Sequence, residues 1–85
     1  MKKVVIYTGP RCAHCDWAIA LLNKKKVDYV EFNIGDNPIK REEMLKKSKG
    51  ARTVPQIFID EYHVGGNNEL QALEHQGKLN SLLDL

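Results

Sequence analysis

Val4 to Thr8 (VVIYT) is a run of β-branched and aromatic residues cut off by Gly9-Pro10, and the periodicity then switches to helical. The run reads as a strand buried on both faces. Cys15, Ala18, Ile19 and Leu22 then fall at i, i+3, i+4 and i+7, one face of a helix. Lys24-Lys25-Lys26 closes that helix, with cations where its dipole favours them. Tyr29 to Ile34 (YVEFNI) alternates, which predicts a second strand with Val30, Phe32 and Ile34 on one side. Two strands joined through a helix form a right-handed parallel unit.

The rest of the chain adds to that unit. Asn37 is a candidate cap with Pro38 at the first helical position. The helix that follows is charged, offers only Ile39, Met44 and Leu45 to a core, and ends at Lys49-Gly50. Gln56 to Asp60 and Tyr62 to Val64 read as a short hairpin around Asp60-Glu61. Asn67 is the expected cap of a helix carrying Leu70 and Leu73; Gly77 stops it before a last apolar turn with Leu79, Leu82 and Leu83. The order strand, helix, strand, helix, hairpin, helix predicts an α/β fold, a mixed four-stranded sheet flanked by helices.

Length and composition narrow the function classes. Eighty-five residues allow one domain, 1–85, which buries about 64% of its unfolded surface. Thirteen Lys and Arg against eleven Asp and Glu leave +2, too weak an excess for a dedicated nucleic-acid binder. No apolar run approaches membrane-spanning length, so no membrane partner is expected. Met1-Lys2-Lys3 followed by Val4-Val5-Ile6 starts like a signal peptide, but the apolar stretch stops at Thr8-Gly9-Pro10, so a cytoplasmic protein is expected. Two cysteines in such a chain point to chemistry rather than to stapling.

Cys12-Ala13-His14-Cys15 lies where the first strand turns into the first helix. The three-residue offset sets the two sulfurs one helical turn apart, within disulfide reach. Cys12 falls at the helix N-terminus, where free N–H groups and the dipole stabilise a thiolate. Arg11 and His14 add positive charge on either side, the surroundings that activate a cysteine. Cys15 starts the buried stripe, so Cys12 is expected to attack and Cys15 to resolve. A purely structural disulfide closing so short a loop would remove only about 1.9 kcal/mol of unfolded-state entropy. A zinc site would need four ligands, and His63 and His75 lack ligand-pair spacing with Cys12, Cys15 and His14, so no metal is expected. C-x-x-C beside a strand–helix–strand pattern favours thiol–disulfide chemistry over both alternatives.

With VVIYT, Cys12-Ala13-His14-Cys15, Lys40 to Met44 (KREEM), Thr53 to Asp60 (TVPQIFID) and Gly65-Gly66 in this order, the chain resembles the small bacterial dithiol glutaredoxins over essentially its full length. The resemblance implies a thioredoxin-like fold and glutathione-dependent reduction of protein disulfides and glutathione mixed disulfides. It implies glutathione as co-substrate with no tightly bound cofactor. Glutathionylated or disulfide-containing proteins would be the partners of a monomer, with glutathione reductase supplying electrons indirectly. It also implies that Cys12 takes the substrate sulfur and that Thr53, Val54 and Pro55 form a cis-proline segment pairing by backbone with glutathione. Gly66, Asn67, Asn68 and Glu69 would hold the γ-glutamyl end at a helix start.

Three departures from the family pattern carry expectations. Ala13 and His14 stand where Pro and Tyr are usual, and histidine in that slot also occurs in oxidising relatives such as protein disulfide isomerases. An imidazolium there would stabilise the thiolate and raise the potential. Asn67, Asn68 and Glu69 stand where the family usually has Cys or Ser, Asp or Ser, and Asp, Glu69 keeping the charge expected to face the glutathione amine. Gly9 stands where a lysine is common, so Arg11 and Arg41 are the candidate partners of glutathione's glycine carboxylate. Two rivals remain: a redoxin recycled by thioredoxin reductase, and a glutathione-ligated iron–sulfur cluster carrier. Trp17 is expected to cover the sheet edge, Tyr7 to join the core, and the lysines at 24–26, 46, 47 and 49 to be solvated helix ends.

Overall fold

The computed structural model describes residues 2–85, so Met1 of the signal-like start lies outside it. The elements are β1 (Val4–Thr8), α1 (Ala13–Lys24), β2 (Tyr29–Asn33), α2 (Pro38–Lys47), β3 (Gln56–Ile59), β4 (Tyr62–Gly65), α3 (Asn67–His75) and α4 (Leu79–Leu83). The strands form one sheet in the order β2-β1-β3-β4. β1 runs parallel to β2 and antiparallel to β3, and β4 pairs antiparallel to β3. This is the mixed sheet with flanking helices expected of a thioredoxin-like fold.

Strand periodicity divides β1 between the two faces of the sheet. Val4 and Ile6 pack with Ala18, Leu21 and Leu22 of α1, Leu70 of α3, and Leu79 and Leu83 of α4. Val5 and Tyr7 face the other way, against Ile34, Met44 and Phe58. All five β1 residues are buried, as a central strand covered on both faces must be.

The departures from the predicted elements have local causes. Ile39 is 78% exposed, although the helix was expected to bury it. It lies five residues from buried Met44, which is about 140° round the helix, so both cannot face the sheet. Val30 is 41% exposed because β2 is the edge strand; the half-buried Phe32 and the buried Ile34 alone join the α2 face. Helix α3 is capped by Gly66 rather than Asn67, because Glu69 reaches back and accepts from the Gly66 N–H at 2.6 Å. Gly65, just before it, has φ 111°, and a Cβ there would meet Glu69 Oε1 at 2.9 Å, so this position requires glycine. Asn37 does cap α2, accepting from the Lys40 N–H at 3.1 Å.

On the α2 face, the Tyr7 hydroxyl donates to the Glu43 carboxylate, and Lys40 Nζ lies 3.1 Å from Glu43 Oε1. Lys47, expected to be a solvated end, places Nζ 4.5 Å from the Phe58 ring centre. Burial first, and then the bond to Glu43, pushes the Tyr7 phenol above its usual value. The Tyr7 hydrogen bond, followed by that from Lys40, holds the Glu43 carboxyl below its usual value. A carboxyl lowered by folding contributes stability that is present above the unfolded value and lost as pH falls through the lowered folded one. The Glu43 side chain is 39% exposed, so solvent screening limits this to about 1 kcal/mol or less. Glu43→Gln should therefore lower stability near neutral pH and flatten its fall on the acid side of the ordinary carboxyl value. Denaturant titrations at several pH values read this; parallel curves for variant and wild type would contradict it.

Candidate active site

Cys12 is the N-cap of α1, in extended conformation, and its Sγ accepts from the Cys15 N–H at 3.1 Å. Any residue at this position sits beside N–H groups that the helix cannot satisfy internally. Cys12 and Cys15 are joined as a disulfide. Cys12 is half-buried while Cys15 is 2% exposed, which separates an accessible sulfur from a covered one as the helical stripe implied. Arg11, which turns the chain into α1, adopts φ 49°.

A second segment approaches from the start of β3. The Val54–Pro55 peptide is cis, and the Val54 carbonyl oxygen lies 3.7 Å from Cys12 Sγ. The segment is fastened from behind. Gln56 is 4% exposed and its Nε2 donates to the Thr53 carbonyl at 3.0 Å. The Gln56 Oε1 in turn lies 2.6 Å from His63 Nε2, and the His63 ring stacks on Phe58 at 4.7 Å. Gln56 and His63 were not among the candidate residues. Phe58 pairs with His63 across β3 and β4, and Gln56 lies two residues before Phe58 on the same face of β3, which brings Gln56 and His63 together.

The third wall is the start of α3. Asn67 is 6% exposed, its Oδ1 accepts from Gln71 Nε2 at 3.1 Å, and its Nδ2 lies 3.4 Å from His14 Nδ1. The His14 ring also meets Trp17 edge-on, with centres 5.1 Å apart. Trp17 is 56% exposed on α1 and does not cover the sheet edge. His14, Thr53, Val54, Pro55, Gly66, Asn67, Asn68 and Glu69 line one groove of about 200 Å³ beside the disulfide. Eight of the predicted site residues thus share a single surface. Arg11 and Arg41 are exposed but are not among the groove's lining residues, Arg41 lying on α2. The Glu69 carboxylate faces the groove while bound to the Gly66 N–H.

An accessible sulfur at a helix start, a covered sulfur one turn on and an adjoining polar groove are the parts that disulfide exchange with a small thiol requires. Comparison with known proteins agrees. The glutaredoxin family model matches residues 4–64. Glutaredoxin 3 of Escherichia coli K12 is 51% identical over 83 residues, covering 98% of this chain and 99% of that one. The solution structure of a glutaredoxin from Brucella melitensis superposes with a TM-score of 0.82 at 47% identity, over 98% of this chain and 89% of that one. A buckwheat glutaredoxin–glutathione complex shares the fold, with a TM-score of 0.84 at 23% identity over 98% and 77% of the two chains. The chain belongs to the glutaredoxin family and is a glutathione-dependent thiol–disulfide oxidoreductase.

Proposed function

We propose that Cys12 is the nucleophile, Cys15 the resolving thiol, and the groove beside them the seat of glutathione. The observation that carries this is the position of the Cys12 sulfur. It caps α1 and faces the Val54 carbonyl, next to the first turn of α3. Gly66 caps α3 without a side chain, so the N–H groups of Asn68 and Glu69 have no capping acceptor and suit the γ-glutamyl carboxylate. The Val54 backbone would pair with the glutathione cysteine. Arg11 and Arg41, outside the groove lining, remain candidates for the glycine carboxylate only through side-chain movement. The buckwheat complex, a protein of the same fold, supports a glutathione-binding role.

The exchange balances in two steps. The Cys12 thiolate attacks the glutathione sulfur of a glutathionylated protein, forming a Cys12–glutathione disulfide and releasing the protein thiolate. A second glutathione thiolate attacks the glutathione sulfur held on Cys12, forming glutathione disulfide and restoring the Cys12 thiolate. With a protein disulfide, Cys12 forms the mixed disulfide and Cys15 displaces the protein sulfur, leaving Cys12–Cys15 for glutathione to reduce. The acting unit is the single domain 1–85, a monomer in the cytoplasm, with glutathione reductase regenerating glutathione. Among the described residues no helix is long and apolar enough to cross a membrane.

His14 is the residue that should set the potential. An imidazolium at His14, two residues after Cys12, would stabilise the thiolate and hence the reduced form. His14→Tyr should shift the dithiol to a more reducing potential, measured by equilibration with a glutathione redox buffer. An unchanged or more oxidising variant would remove His14 from this role.

A further inference from the structure

A second groove shares a wall residue with the redox site. It has a volume of about 430 Å³ and runs along the seam of α1 and α3, between Trp17, Ala20, Leu21 and Lys24 on one side and Asn67 and Gln71 on the other. Asn67 lines both grooves, and the Trp17 indole touches the His14 ring. At the far end stands a cation without a partner. Neighbouring Lys25 is engaged by Glu74 at 2.5 Å and Asn80 at 2.8 Å, whereas among the described residues Lys24 has no ion pair.

We propose that this seam docks the residues flanking the reactive cysteine of a polypeptide substrate, an apolar side chain against Trp17 and a carboxylate at Lys24. The seven helical steps from Trp17 to Lys24 span about 10 Å. That length matches about three residues of extended chain. Glutathione has no apolar side chain to place on the exposed indole and the Ala20–Leu21 wall, so these features serve the polypeptide leaving group. The inference names the substrate class of the exchange reaction proposed above and rests on that reading.

Two glutathionylated undecapeptides test it, one with Leu at the second and Glu at the fifth position on each side of cysteine, the other with Ser and Lys there. The expected result is a kcat/KM about tenfold higher for the Leu/Glu peptide, the scale of one good apolar or ionic contact. Trp17→Ala should erase that preference while turnover of bis(2-hydroxyethyl) disulfide with glutathione stays at the wild-type rate. Lys24→Glu should shift the preference toward the Ser/Lys peptide. The same comparison is repeated without glutathione, using peptides whose cysteine carries thionitrobenzoate, which the Cys12 thiolate displaces. A protein that failed to turn over the hydroxyethyl substrate would refute the glutathione reading, while the thionitrobenzoate series would still test the seam. Equal rates for the two peptides would overturn the proposal. So would an equal loss by Trp17→Ala on peptide and hydroxyethyl substrates, or concentration-dependent dimerisation in sedimentation that Trp17→Ala abolishes.

Discussion

Replacing Cys12 by serine should reduce turnover of a glutathionylated peptide by at least about 10³-fold, because a hydroxyl at neutral pH cannot replace a thiolate nucleophile. Cys15→Ser should keep that turnover, since neither step of the glutathione route passes through Cys15. Reduction of a protein disulfide should fall with both variants, since only Cys15 releases the mixed disulfide from within the protein. The asymmetry follows from geometry. Cys12 is half-buried at the helix cap with the Val54 carbonyl and the groove before it, while Cys15 is almost wholly covered. Coupled assays with glutathione, glutathione reductase and NADPH read both substrates. Equal loss of peptide turnover in the two variants would mean that the reaction requires the dithiol throughout.

The second large effect is structural. Leu70→Ala should destabilise the fold by about 2–5 kcal/mol, the range for deleting a fully buried leucine. Leu70 is 0% exposed, and it anchors the first turn of α3 against the core formed by β1 and α1. In a domain of this size total stability is about 5–15 kcal/mol, so the loss takes a large share of the folded margin. Because the same turn carries Gly66 to Glu69, the KM for glutathione should rise in the folded fraction as well. Denaturant unfolding and glutathione-dependent kinetics on the same preparation separate the two effects. An unaltered midpoint would show that the core relaxes into the space without cost.

How legible was this in the sequence? The strand of Val4 to Thr8, the buried stripe from Cys15 and the Asn37 cap follow from short-range periodicity and capping chemistry, and the structure contains all three. The dithiol's unequal burial was equally local, since Cys15 begins the stripe and Cys12 precedes it. What escaped was set by distant or competing contacts. Asn67 was expected to be a cap, yet Glu69 reached back to Gly66 and moved the boundary by one residue, leaving Asn67 to meet His14. Val30 and Ile39 are apolar residues that the pattern assigned to the core, but an edge strand and a helix rotation left them in solvent. The Thr53–Gln56–His63 chain was missed because it is made by side chains across the β3–β4 pairing, which a strand pattern places opposite one another without saying which of them bond. For the groove itself, the resemblance rather than the pattern assigned Thr53 to Pro55 and Gly66 to Glu69. Spacing alone offered a strand start and a turn.

The most direct test of the account is to expose reduced Cys15→Ser protein to glutathione disulfide and locate the adduct by intact mass and peptide mapping. One glutathione per chain should be carried on Cys12 and removed by added glutathione at the rate of steady-state turnover. Failure of Cys12 to form the adduct, or an adduct that glutathione does not release, would contradict it.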